Sequence, residues 1–285
     1  MLAVHFLSLA LTVGQSPIDS TKKPDPVWLT DYAKASQLAR EQKKDLLIYF
    51  RADERLEAVL ADPNLRNRLA KFVLLRVPAD YEVQGKRLLN HAALAEMLGQ
   101  PGLAMVSLHD KDLPTFNTAI SAHPLVGSRY GWVPGYGVNE VAAILDLPAD
   151  ATLSQRSMIY AVSVHPERPR SVLGQPHPGI LGHAQRHSLR QAAMTNQHHA
   201  NIIAAAQQIA TETGTPIHNQ SEVVAESWGN FVGGENVLEA AFSCVDAWRH
   251  SPGHWSAVAG EHRYYGYDIA KGTNGTWYAT GFFSN

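Results

Sequence analysis

Residues 237–283 read VLEAAFSCVDAWRHSPGHWSAVAGEHRYYGYDIAKGTNGTWYATGFF, and this stretch decides the fold of the C-terminal half of the chain. Apolar residues recur at helical spacing over 237–250, with Leu238 and Trp248 on the inward side, and this pattern predicts a helix. Ser251-Pro252-Gly253 supplies the residue types that end helices, so the helix is predicted to stop there.

Two runs rich in aromatic residues follow, 264–270 and 276–283, and each is typical of a strand. Asn274-Gly275 lies between them and predicts a tight β-hairpin, because both residues accept a positive φ. Upstream, apolar residues at helical spacing over 179–213 predict one long helix that ends at Thr213-Gly214. Helices followed by an aromatic hairpin predict a compact, layered α+β structure.

The N-terminal half alternates between short apolar runs and helical patterns. The runs 45–52, 72–77 and 103–108 are predicted to be buried strands. Helical patterns surround them, at 30–42, 56–72, 88–98 and 138–147. Strands separated by helices of about ten residues favour a parallel or mixed α/β sheet.

Composition limits the possible functions. The chain has 285 residues, enough for about two domains, and 45% of them are hydrophobic. With 24 Lys and Arg against 26 Asp and Glu, the net charge is −2, which excludes dedicated nucleic-acid binding. The basic residues are scattered, so a polybasic membrane patch is not expected either.

The first residues resemble an export signal. MLAVHFLSLALTV (1–13) is too short for a membrane span and resembles the apolar region of a secretory signal peptide. We therefore predict a signal peptide over 1–14, a proline-rich linker over 15–26, and a secreted, periplasmic or cell-envelope location. Domains are predicted over 27–150 and 151–285.

The single cysteine, Cys244, excludes an intramolecular disulfide and any Cys-x-x-Cys motif, and its apolar neighbours indicate a buried small hydrophobe. Histidine is abundant instead, since ten of the 14 occur from His165 onward. His218, Glu226 and His254 come from three separate segments and could converge to bind Zn²⁺ with an open fourth position. The alternative is that these three side chains have independent surface or capping roles.

Two further pairs of histidines have structural interpretations. His183 and His187 have the i,i+4 spacing of helical zinc ligands, but no acidic third ligand follows where one is expected. His198 and His199 fall within the predicted long helix, where adjacent side chains point about 100° apart and cannot chelate together.

Part of the N-terminal half resembles a thioredoxin-like fold over about residues 25–125. The resemblance rests on Trp28, the strand KKDLLIYF and the segment Gly99-Gln100-Pro101-Gly102. That family carries Cys-x-x-Cys after its first central strand, whereas this chain has Arg51-Ala52-Asp53-Glu54-Arg55 there. Thiol–disulfide exchange is therefore excluded, because it needs a thiolate. Pro101 matches the family's cis-proline.

The C-terminal half resembles the CAP/SCP superfamily of cysteine-rich secretory and sperm-coating proteins, in its disulfide-free bacterial form. The most specific element is Trp248-x-x-Ser251-Pro252-Gly253-His254. Ala225-Glu226-Ser227-Trp228 lies where the family has Gly-Glu-Asn, and the glycine-rich aromatic hairpin completes the match. The resemblance implies an α-β-α sandwich over 151–285, preceded by the thioredoxin-like domain.

In that family two histidines and two glutamates line a cavity that can hold a divalent metal. The resemblance implies a ligand cavity formed by His218, Glu226, Ser251 and His254. Ser251 stands where the second glutamate is usual, so the four-ligand metal site is incomplete. Glu235, in Gly234-Glu235-Asn236, is the alternative to Glu226 as the cavity acid.

Three functions are compatible with these residues. The first is a non-redox binding protein that holds a small molecule, a lipid, a cell-wall fragment or a metal ion. The second is a hydrolase, using metal-activated water or a serine near the histidines, with Ser221, Ser251 and Ser256 as candidates. The third is an inert structural protein that docks an envelope protein partner.

Overall fold

The computed structural model describes residues 26–51, 54–227 and 235–285. The predicted signal peptide, and the predicted linker up to residue 25, lie outside these residues. Across the described ranges, no helix is long and apolar enough to cross a membrane.

The chain forms short strands and helices in the first half and longer ones in the second. The helices are α1 Tyr32–Gln42, α2 Glu54–Leu60, α3 Arg66–Leu69, α4 Val138–Leu145, α5 Leu153–Ser163, α6 Pro178–Met194, α7 Ile202–Thr213, α8 Val237–Arg249 and α9 Pro252–Ala259. The strands are β1 Trp28–Leu29, β2 Leu46–Arg51, β3 Val73–Pro78, β4 Glu82–Val83, β5 Lys86–Arg87, β6 Gly102–Val106, β7 Ala119–Pro124, β8 Gln175–Pro176, β9 Ser221–Glu226, β10 Tyr264–Lys271 and β11 Trp277–Ser284. Short 3-10 helices occupy Pro63–Leu65, Leu88–Asn90, Ala92–Met97 and Ser171–Leu173.

The first sheet has five strands in the order β1-β3-β2-β6-β7. Strands β1, β3 and β2 are parallel, whereas β6 and β7 run antiparallel to their neighbours. Strands β2, β3 and β6 confirm the three predicted apolar strands. The edge strand β7 was not predicted, because Ser121 and His123 interrupt its apolar pattern, although both side chains are buried.

The start of β6 passes close to β7. Gly102 has a φ of 146°, and a Cβ there would lie 2.2 Å from the carbonyl oxygen of His123, so only glycine fits. No cis peptide bond occurs among the described residues. The prediction of a cis-proline at Pro101 was therefore wrong.

The second sheet has four strands in the order β8-β10-β11-β9. Strands β10 and β11 form the predicted hairpin, and Gly275 takes a φ of 84° in its turn. Helix α6 lies against one face of β10, since a Cβ on Gly266 would lie 2.6 Å from its backbone. Helix α8 lies against the opposite face, where the Trp248 and Tyr267 rings are 5.9 Å apart.

The predicted long helix over 179–213 is two helices in the structure. Helix α6 ends at Met194, the next residue, Thr195, adopts the left-handed conformation, and α7 begins after Asn201. The Asn201 side chain accepts a hydrogen bond from the Ala204 N–H at 3.0 Å, which caps the new helix. His198 and His199 consequently lie in the connection rather than within a helix.

The two sheets share one core. Helix α5 begins just after the predicted boundary at residue 150 and packs against both β7 and β10. One cluster of buried apolar side chains includes Met105 of the first sheet and Tyr267 of the second. The Arg156 side chain of α5 is itself fully buried, and it contacts Ser121 and Met105 of the first sheet.

Candidate functional site

His218 and Glu226 lie at opposite ends of β9. His218 precedes the strand and is exposed, whereas Glu226 is its last residue. The extended strand alone spans roughly 17 Å, so one metal ion cannot contact both side chains. The structure therefore does not bring together the ligand set His218, Glu226 and His254.

The backbone of His218 has a structural role. Its N–H donates to the Ser284 hydroxyl at 3.1 Å, and its carbonyl accepts from the same hydroxyl at 2.9 Å. Ser251 caps α9 by position, and its carbonyl accepts the Trp255 N–H at 2.8 Å. None of these contacts involves Glu226.

His254 is the predicted site residue that does lie near other histidines. It sits in the first turn of α9, and its ring is 5.8 Å from the ring of His199. Burial and the neighbouring His199 lower the pKa of His254. His199 belongs to a group of side chains that the sequence did not predict to lie together.

That group surrounds a buried carboxylate, Glu222, whose side chain is only 1% exposed. The Nε2 atoms of His183 and His187 each lie 3.8 Å from Glu222 Oε1. The other oxygen, Oε2, is 3.1 Å from His199 Nδ1 and accepts the Ala200 N–H at 2.8 Å. We call His183, His187, His199 and Glu222 the carboxylate–imidazole cluster.

The fold builds this cluster from three elements. The i,i+4 spacing on α6 places His183 and His187 on one face, where their rings lie nearly parallel with centroids 6.0 Å apart. The break after α6 turns the chain back, so that His199 reaches β9. Glu222, the acid that pairs with these histidines, is 35 residues beyond His187 and lies in a strand. Local sequence spacing therefore does not reveal the pairing.

The cluster does not fit a zinc ion. His187 Nε2, which faces Glu222, donates to the His198 carbonyl at 2.9 Å and so has no free lone pair for a metal. Among residues 26–51, 54–227 and 235–285, no group of three or more His, Cys, Asp or Glu side chains is arranged to hold a metal. The Zn²⁺ ion predicted at His218, Glu226 and His254 therefore gains no support from the described residues.

The negative charge of Glu222 helps to hold the α6–α7 connection against β9. Burial alone would raise the pKa of Glu222, but the surrounding histidines and the Ala200 N–H outweigh it and the pKa is lowered. Glu222 is therefore ionised at neutral pH. It ties His199 and Ala200 to β9.

Replacing Glu222 by glutamine tests this role. We expect Glu222→Gln to lower the free energy of unfolding by about 2 kcal/mol near pH 7, because the anion holds charge-assisted hydrogen bonds. A carboxyl whose folded pKa is depressed stabilises above its unfolded pKa, so the difference should shrink as the pH falls below about 4.5. Urea unfolding of wild type and Glu222→Gln, near pH 7 and again below about pH 4.5, measures this difference in stability.

The control is Glu212→Gln on α7, where the carboxylate is exposed and paired with Arg186. It should leave the urea midpoint nearly unchanged at both pH values. A Glu222→Gln protein as stable as wild type near pH 7 would contradict the anchoring role.

A cavity of about 730 Å³ lies between residues 124–136 and the start of α8. The sequence predicts that the aromatic rings of this segment pack onto the first sheet, and the structure shows that they also pack onto α8. The Trp132 ring lies 5.5 Å from that of Phe242. We call this the tyrosine cavity, and its principal lining residues are Leu125, Tyr130, Tyr136, Tyr160, Leu238 and Phe242.

Charged side chains line one part of the tyrosine cavity. Arg129 forms an ion pair with Glu235 Oε1, and its Nε lies 3.7 Å from Glu239 Oε1. Glu239 Oε1 also accepts the Arg129 N–H at 3.0 Å and the Ser128 hydroxyl at 3.1 Å. Glu235, the alternative acid of the sequence analysis, thus lies in this cavity.

The Glu235 carboxylate accepts fewer hydrogen bonds than its two oxygens allow. Its side chain is 4% exposed, and within the described part of the chain its Oε2 atom is buried without a hydrogen-bond partner. Burial raises the pKa of Glu235, although Arg129 and the nearby Ser227 hydroxyl oppose the rise. A buried carboxylate oxygen of this kind is costly unless another group pairs with it.

No family model and no curated protein sequence matches the chain. Among solved structures, an outer surface protein from Borrelia burgdorferi is similar at 16% identity over 39% of this chain and 77% of that one. The TM-score is 0.31, which does not establish a shared fold.

Proposed function

We propose that this chain is a non-redox, small-molecule-binding protein, with the tyrosine cavity as its binding site. The observation that carries this proposal is the cavity itself. Its volume of about 730 Å³ and its mostly apolar and aromatic lining, with a few polar groups at one side, are typical of ligand pockets.

The chemistry of the only thiol supports the non-redox part of the proposal. Cys244 is fully buried in α8, and burial raises its pKa well above the ordinary value. A buried neutral thiol is unreactive, because the thiolate is the nucleophile in exchange reactions.

Sheet topology supports the proposed domain assignments. A five-stranded mixed sheet in the order β1-β3-β2-β6-β7 suits a thioredoxin-like domain without redox cysteines. A four-stranded sheet with α6 on one face and α8 on the other suits a CAP/SCP-like domain. The ligand site proposed here lies between these two parts rather than at the four residues that the resemblance implied.

A secreted or cell-envelope location remains part of the proposal and rests on the apolar segment 1–13. The hydrolase alternative gains no support from the serines considered for it. Ser256 donates to the Gly253 carbonyl at 2.8 Å, and within the described ranges none of Ser221, Ser251 and Ser256 hydrogen-bonds a histidine ring.

Filling the cavity tests the proposal. A neutral apolar fluorophore, N-phenyl-1-naphthylamine, should bind wild type at one saturable site. We expect Val133→Trp, a substitution at a half-buried cavity residue, to weaken this binding at least about tenfold because the indole occupies the space. Fluorescence titration measures both affinities.

The matched control is Val83→Trp, which places the same side chain at a half-buried valine of β4, away from the cavity. It should bind the fluorophore as wild type does. Absence of a saturable site in wild type, or equal affinity in Val133→Trp, would overturn the proposed function.

A further inference from the structure

We infer that the ligand of the tyrosine cavity is a small organic cation, an amine carrying an apolar or aromatic body. This inference rests on the proposed function and adds the chemical class of the ligand. Charge balance, an unsatisfied acceptor and the character of the walls point to it.

Charge balance is the first argument. Among the described residues, the charged side chains that line the cavity are Arg129, Glu235 and Glu239. One guanidinium pairs with two carboxylates, so the lining carries a surplus of one negative charge when both acids are ionised. A monovalent cation in the cavity restores neutrality, whereas an anion doubles the imbalance.

The unsatisfied acceptor is the second argument. Arg129 engages only one oxygen of Glu235, and the other oxygen has no hydrogen-bond partner among the described residues. An ammonium group has up to three donors and no acceptor, so it has the chemistry that this oxygen lacks in a partner. A hydrogen bond between an ammonium and the Glu235 carboxylate would be charge-assisted, and burial of the side chain limits competition from water.

The walls supply the third argument. Tyr130, Tyr136, Tyr160 and Phe242 present four aromatic rings to one cavity. The faces of such rings attract cations, and the Arg129 guanidinium already lies 4.9 Å from the centre of the Tyr130 ring. Leu125 and Leu238 complete an apolar surface for the body of the ligand.

A set of matched small molecules tests the inference on the full chain. Benzylamine, benzyl alcohol and benzoate share one ring and differ in charge. Near neutral pH, we expect benzylamine to displace the fluorophore from wild type at least about tenfold more tightly than benzyl alcohol, and benzoate to displace none.

Glu235→Gln removes the charge and keeps the shape, so it should abolish most of the preference for benzylamine over benzyl alcohol. Glu261→Gln, at an exposed acid outside the cavity, should retain the preference. Wild type alone also tests the inference should Glu235→Gln fail to fold, because the comparison of the three ligands needs no variant.

The two proposals fail differently. Equal affinity of wild type for benzylamine and benzyl alcohol, or tighter binding of benzoate, overturns the cation inference and leaves the cavity as a binding site. Binding of the fluorophore without displacement by benzylamine also overturns it. Failure of wild type to bind the fluorophore removes the proposed function itself.

Discussion

Replacing Asp268 by asparagine is expected to make the protein more stable than wild type above about pH 7, by up to about 4 kcal/mol. Asp268 lies on β10 and is fully buried. The Ser154 hydroxyl donates to its Oδ1 at 2.6 Å, and Ser188 of α6 contacts its Oδ2. Burial raises its pKa from 3.8 to about 7, against the effect of the two hydroxyl groups.

The sign of this stability change follows from the proton that Asp268 binds in the folded and unfolded states. Between 3.8 and about 7 the folded protein holds a proton on Asp268 that the unfolded chain has lost. Stability therefore falls as the pH rises through this window. The Ser188 hydroxyl has one proton, and donating it to the Ala184 carbonyl at 2.8 Å leaves the oxygen free to accept from a protonated Asp268. Asparagine reproduces this neutral donor and acceptor and cannot ionise.

Urea unfolding from about pH 4 to about pH 8.5 measures the effect. The wild-type and Asp268→Asn curves should meet at the acid end, separate as the pH rises to about 7, and run nearly parallel above it. The control is Asp110→Asn at an exposed loop aspartate, whose profile should run parallel to wild type. Parallel profiles for Asp268→Asn and wild type would show that Asp268 does not retain its proton in the folded state.

Local patterns in the sequence were sufficient for most of the elements. The apolar run at β2 and the Asn274-Gly275 turn each specify their structure within a few residues, so β2 and the β10–β11 hairpin were predicted correctly. The break between α6 and α7 was missed, because the apolar spacing continues through it. Only Asn201, a good N-cap residue, marks the start of the second helix.

The side-chain clusters depend on how the strands pair and how the helices pack on them, and local sequence patterns do not show either. Glu222 and Glu226 are four residues apart on β9 and face the same side of the sheet. Pairing with β11 places Glu222 opposite Phe282, whose ring contacts that of His183. Local sequence favoured Glu226, because nothing nearby shows which end of the strand approaches α6.

The tyrosine cavity is an extreme case of the same difficulty. Arg129 and Glu235 are more than a hundred residues apart and meet only because α8 packs beside the segment that follows β7. Sequence analysis identified both the aromatic segment and Glu235, each for a different reason. Their association could be found only from the packing of the two halves.

Replacing Arg156 by alanine is expected to destabilise the protein by about 4 kcal/mol, because it removes buried hydrogen bonds that join α5 to the first sheet and to the Pro148 carbonyl. Arg156 projects from α5 and is 2% exposed. Its Nε donates to the Ser121 hydroxyl at 2.8 Å, and its Nη1 donates to the Pro148 carbonyl at 2.8 Å. Its Nη2 contacts the sulfur of Met105 at 2.9 Å.

Alanine leaves these acceptors buried and opens a cavity, whereas methionine removes the charge but refills part of the space. Burial lowers the pKa of Arg156 to about 10, so the side chain is still charged at neutral pH and its burial is costly. Arg156→Met should therefore lose about half as much stability as Arg156→Ala. Arg170→Ala, at an exposed ion pair, should lose almost none. Urea unfolding ranks the three proteins, and an Arg156→Ala midpoint equal to that of Arg170→Ala would show that the buried contacts of Arg156 do not stabilise the fold.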